Sequence, residues 1–142
     1  MDARRATAFA RVANVRAMQS ELKLLEARRK VVQLEQQAQK LSTRQEVAEA
    51  STMPRDQPVS AVWVQLVGDA RERLATDLRQ VDQKTQVGRV EVDRTDVSHQ
   101  DAVRMRKVAD HVVAYQKQQR AETAARRERW AADDRAIATQ RA

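Results

Sequence analysis

No cysteine occurs among the 142 residues, so disulfides, thiolate metal sites and thiol catalysis are excluded. Glycine and proline number two each, where about 17 together would be expected at average usage of about 12%. A sandwich, a barrel or a glycine-loop nucleotide fold needs turns that this chain cannot supply. Aromatic residues are only 3% of the chain. No apolar run approaches the roughly 20 residues that cross a bilayer. The opening residues, Met1 to Thr7, lack the apolar stretch of a signal peptide, so no secretory leader is expected. Val, Leu, Ile and Phe total 28 residues, too few for a thick core but enough for a two-stranded seam.

What is present is helix-forming. Ala, Glu, Lys, Leu and Arg make up 68 of the 142 residues, a share typical of a long helix or coiled coil. Residues 3 to about 50 contain neither Gly nor Pro. Val15, Met18, Leu22 and Leu25 are spaced 3, 4 and 3, and a second stripe runs through Leu24, Ala27, Val31, Leu34, Ala38, Leu41 and Ala48. Both have helical period. They do not share one register, which predicts a stutter near residues 24–28.

The only prolines, Pro54 and Pro58, fall in the segment Ser51 to Pro58. Each removes an amide donor and restrains the residue before it, so the pair ends the first helix and places a loop at 51–58. Asp56 or Ser60 is a candidate cap for the next helix. This second helix is expected over about 59–140, opening with Trp63, Val67, Ala70, Leu74, Leu78 and Val81 on one face. Its line continues through Val87, Val90 and Val97 to Met105, Val108, Val112 and Tyr115. Gly88, unfavourable in a helix by about 1 kcal/mol relative to Ala, marks a candidate kink. The expected architecture is therefore all-α: a single domain forming an antiparallel two-helix coiled-coil hairpin. Folding at 51–58 sets the amino terminus beside about residue 105, and the longer C-terminal helix overhangs by some 30 residues. A lone helix of that length is marginal in water unless something binds it.

The formal net charge of +7 is unevenly placed. Residues 1–30 carry eight basic and three acidic groups, residues 31–103 nine and twelve, and residues 104–142 ten and five. The hairpin gathers the two net +5 segments at one tip, which favours an acidic partner. Asp133 and Asp134 read as surface partners of Arg129 and Arg135.

No catalytic constellation, cofactor motif or metal site is apparent. His99 and His111, twelve apart, have no paired ligand at i+3 or i+4; the cluster Glu91, Asp93, Asp96, His99 and Asp101 could at most chelate a cation weakly and reads as a solvated helix face. No phosphate-cradling loop occurs. The run Arg126-Arg127-Glu128-Arg129 is interrupted by Glu, and neither interleaved aromatics nor a groove-binding motif accompanies it, so nucleic acid is not the expected partner. The two tryptophans stand apart. Trp130 lies in the overhang. Trp63 fits two roles: packing on the first helix near Val47 and Ala48, or serving as an exposed anchor for a partner.

The opening Phe9-Ala10-Arg11-Val12-Ala13-Asn14-Val15-Arg16 is similar to that of flagellar export proteins of the FliJ type. Apolar residues spaced like Phe9, Val12 and Val15 precede an Arg, and a long helix follows. The break after about fifty residues, the aromatic-led face of the second helix and the Arg/Glu/Gln-rich end with Asp133, Arg135 and Ala138 also resemble that family. The segment Ala17 to Glu21 is less acidic than its counterpart, and the loop is compact, which leaves the related YscO-type injectisome stalks open as an alternative. The resemblance implies a non-enzymatic central stalk, similar to the γ subunit of rotary ATPases. Such a stalk enters a hexameric export ATPase, promotes its assembly, connects it to the membrane-embedded export gate and handles empty export chaperones. It implies a cytoplasmic protein, peripheral at the inner membrane through its partners. By position, Arg4, Arg5, Arg126, Arg127, Arg129 and Trp130 would face the ATPase, and Trp63, Val67, Ala70 and Leu74 the gate. A generic coiled-coil scaffold and a basic nucleic-acid-binding coiled coil are the competing classes.

Overall fold

In the computed structural model, residues 2–50 and 60–140 are described. They form two helices and no strand: α1, Ala3–Ala50, and α2, Ala61–Gln140. The loop expected at 51–58, with both prolines and the candidate cap Asp56, lies outside the described residues. Ser60 caps α2: the Trp63 amide donates to its Oγ at 3.2 Å and to its carbonyl at 3.0 Å. At the other junction, Arg71 donates to the Ala48 carbonyl at 3.3 Å, satisfying an acceptor in the last turn of α1.

The chain divides into two compact units, residues 1–21 with 98–142 and residues 22–97. Each contains an antiparallel pairing of α1 with α2. In the second unit Arg28 meets Asp96 at 3.6 Å, Glu35 meets Arg89 at 2.9 Å and Ala48 meets Arg71. In the first, Asp2 meets Arg120 at 3.7 Å and Ser20 meets His99 at 3.0 Å. These ion pairs are exposed and add little stability, but they record the register. It differs from the expectation that the amino terminus lies beside residue 105. Residue numbers across the pairing add to about 120, not 108, because the first turns of α2 precede any α1 partner among the described residues. The unpaired end of α2 is correspondingly shorter, about 20 residues.

In the second unit the least exposed residues of α1 are Leu24, Ala27, Val31, Leu34, Ala38, Leu41, Gln45 and Ala48. Opposite them on α2 lie Leu74, Leu78, Val81, Thr85, Gly88, Val92 and Thr95. Both lists alternate steps of three and four, which keeps one stripe of a helix facing its neighbour. Buried Thr85 returns its hydroxyl proton to the Val81 carbonyl at 2.8 Å. Gly88 is not a break: α2 runs through it without interruption. A Cβ there would stand 3.0 Å from a Val31 methyl, so the glycine is a notch that seats Val31.

The first unit has a different seam. On α1 it is Ala3, Ala6, Ala10, Ala13, Ala17 and Ser20, and on α2 His99, Ala102, Arg106, Ala109, Val113 and Gln116. Steps of three and four hold here too, and the four-residue step from Ser20 to Leu24 keeps the alternation, so α1 carries no stutter at 24–28. The stripe of Val15, Met18, Leu22 and Leu25 faces solvent. So do Val87, Val90, Val97, Met105, Val108 and Tyr115 of α2. Alanine at successive inward positions lets two helices pack closely while burying little area per residue. That is why larger side chains on the outer face mimicked the seam.

Candidate partner-docking surface

The described residues contain no group of three or more His, Asp or Glu arranged to hold a metal. His99 does not sit on a solvated face: it is half-buried in the seam, its Nδ1 within hydrogen-bond distance of the Ser20 hydroxyl. No helix among the described residues is long and apolar enough to cross a membrane. What the molecule offers instead is surface.

The clearest such surface is the end of α2. Every residue from Lys117 to Gln140 is exposed, because α1 begins only at Ala3, opposite this region's start. Arg126, Arg127 and Arg129 all project from this stretch, and Trp130 is 70% exposed. An indole left in water forgoes the burial that normally accounts for its presence. Ile137, seven residues on, is also exposed. Asp133 and Asp134 make no ion pair among the described residues, contrary to the expected pairing with Arg129 and Arg135. Arg135 instead donates to the Ala131 carbonyl at 3.0 Å.

Arg4 and Arg5, on the first turn of α1, lie beside α2 near residues 117–120, by the register of the Asp2–Arg120 pair. The structure thus brings the amino terminus to the start of the bare tail. It does not bring Arg4 or Arg5 into contact with Arg126 to Trp130, which lie farther along α2. Arg127 is seven residues past Arg120, roughly 10 Å at 1.5 Å per residue. Two residues that the sequence reading passed over link the sets. Arg4, Arg11 and Arg120 line one open groove, and Arg120 and Arg127 line the next. The seven-residue spacing of Arg120 and Arg127 was the available signal. Three or four guanidinium groups along such a groove suit the carboxylates of an acidic helix or loop.

At the start of α2 the four residues expected to form one face divide. Val67 and Leu74, seven apart, are half-buried, whereas Trp63 and Ala70, also seven apart, are exposed on the flank. Trp63 is 41% exposed and stands two turns before Arg71, the residue that reaches Ala48. Val62, Val64 and Leu66 are exposed beside it.

Compared with protein-family models, curated proteins and solved structures, the chain matches none.

Proposed function

We propose that this protein is a non-enzymatic stalk of the FliJ type, an antiparallel two-helix coiled coil whose overhanging α2 enters a hexameric export ATPase. The observation that carries the reading is the solvent-exposed end of α2, with Arg126, Arg127, Arg129 and Trp130 on a helix that continues past the start of its partner. Arg4, Arg5, Arg11 and Arg120 extend the same basic surface. A helix left single over five turns gains stability only when something covers it, and a ring lined with carboxylates would cover it on all sides. The tail's binding energy then biases the ring toward its assembled state, as differential affinity must in any such shift.

Trp63 and Ala70, with the neighbouring apolar residues, form the surface for the export gate. Val67 and Leu74 support that surface from beneath. Export chaperones share the exposed helical faces, and the protein lies in the cytoplasm, held at the inner membrane by its partners. A flagellar and an injectisome apparatus would use this geometry alike.

The test is to mix the purified chain with the export ATPase of the same organism and follow ATP hydrolysis and oligomer mass. The expected result is more hexamer and faster hydrolysis, both reduced when Trp130→Ala and Arg127→Glu are combined. No change in either quantity on adding the wild-type chain would overturn the reading and leave a generic helical scaffold.

A further inference from the structure

The inward stripe of α2 does not end where α1 begins. Continued past Gln116 in steps of four and three, it selects Arg120, Thr123, Arg127, Trp130, Asp134 and Ile137, all of them exposed. The tail's two large apolar side chains, Trp130 and Ile137, both fall on this line. The tail is therefore half of a helix pair. We infer that the second half is the tail of another copy of this chain, packed antiparallel around a two-fold axis.

Charge selects the orientation. A parallel pair sets each seam residue against itself, placing Arg120 on Arg120, Arg127 on Arg127 and Asp134 on Asp134 inside the interface, an unfavourable arrangement of like charges. In an antiparallel pair the register that sets Arg127 against Trp130 of the second copy also sets Arg120 against Ile137 and Thr123 against Asp134. Symmetry makes each contact twice. The guanidinium of Arg127 then lies over the indole of Trp130. The Thr123 hydroxyl, which donates to the Gln119 carbonyl at 2.7 Å in the free chain, turns to the Asp134 carboxylate, and the stem of Arg120 covers Ile137 while its head keeps its place beside Asp2.

Charge also selects the register. Along one flank Arg126 opposes Asp133 of the second copy, again twice, and neither residue has an ion pair among the described residues. Sliding one tail by seven residues in one direction sets Arg126 against itself. Sliding it in the other sets Asp133 against itself on the axis. The opposite flank carries Ala124 and Ala131, small enough for close approach, as in the alanine seam of the first unit. The closed stretch runs from Arg120 to Ile137; beyond it, residues 138–140 of the second copy reach the level of the first turn of α1 and leave the seam there.

This inference does not rest on the export reading. A seam holds one occupant at a time, so the dimer and any other use of the tail exclude each other. The test is sedimentation equilibrium of the full-length chain from about 5 to 500 µM. The mass is expected to rise with concentration from 16.2 kDa toward twice that value. Arg126→Asp and Asp133→Arg should each weaken association at least about tenfold, because each replaces two attractions by two repulsions. The decisive arm mixes the two variants in equal amounts. Each then supplies what the other lacks, so a heterodimer of wild-type affinity forms, and the double variant dimerises alone. A wild-type chain that stays monomeric, single variants that associate as the wild type does, or a mixture that fails to recover would each overturn the proposal. Helical content by circular dichroism, unchanged in all variants, excludes misfolding as the cause. Hydrolysis by the ATPase plays no part in this readout, so the two proposals fail separately.

Discussion

The two units solve the same packing problem with different materials. Residues 22–97 close their seam with Leu24, Val31, Leu34 and Leu41 against Leu74, Leu78 and Val81, and a notch at Gly88 admits Val31. The first unit closes its seam with five alanines of α1 against Ala102, Ala109 and Val113, with Phe9, Val103 and Val112 half-buried beside it, adds the polar Ser20–His99 contact, and turns Val12, Val15 and Met18 outward. Buried apolar area is the main stabilising term, so the second unit carries more of the stability. The first is held by close approach, and it is also the unit whose α2 runs on unpaired. The less stable part of a structure is where partner-dependent ordering is found.

The sharpest contrast lies within one turn of α1. Leu24 is 5% exposed and Leu22 61%. Leu24→Ala should cost about 2–4 kcal/mol, the largest effect expected of any single substitution, read as a lower urea midpoint at unchanged slope. The first unit should resist the opposite change. Ala13→Leu overfills a seam built for small side chains and should cost about 1–3 kcal/mol, whereas the same volume added to a loosely packed face would cost nothing. An unchanged midpoint for this variant would show that the alanine face is not a seam.

Gly88→Ala sets two effects against each other. Alanine favours the helix by about 1 kcal/mol, but its Cβ meets Val31 at 3.0 Å. A net loss of about 0.5–1 kcal/mol is expected. In a Val31→Ala background the contact is gone, and the same substitution should become stabilising by about 1 kcal/mol. A loss of equal size in both backgrounds would contradict the notch. Leu22→Ala closes the series, with an expected change within about 0.5 kcal/mol by thermal unfolding. A cost near that of Leu24→Ala would restore the stripe that the structure turns outward.

This contrast also explains how far the sequence alone is legible. The helical class followed from the scarcity of glycine and proline. The seam of α1 in the second unit followed from Leu24, Val31, Leu34 and Leu41, whose size makes the period visible. In the first unit the period is equally regular but written in alanine, so the larger Val15 and Met18 on the outer face dominate the pattern. Along the middle of α2 the inward residues are Thr85, Gly88, Thr95 and His99, none strongly apolar, while Val87, Val90 and Val97 face solvent. The bare tail was legible as a consequence of unequal helix lengths. That Arg120, Arg127, Trp130 and Ile137 lie on one continuation of the seam was not, because the continuation depends on the register that only the alanine seam reveals.

The central claim is that the end of α2 is a docking helix, exposed in the free chain and covered by its partner. Hydrogen exchange of the amides from 121 to 138, at a concentration where the chain is monomeric, tests it most directly. Alone, these amides should exchange much faster than those of residues 74–92. On addition of the export ATPase they should slow by at least about tenfold, corresponding to about 1.4 kcal/mol of added protection. Equal protection of the two regions in the free chain, or a tail whose exchange the ATPase leaves unchanged, would contradict the account.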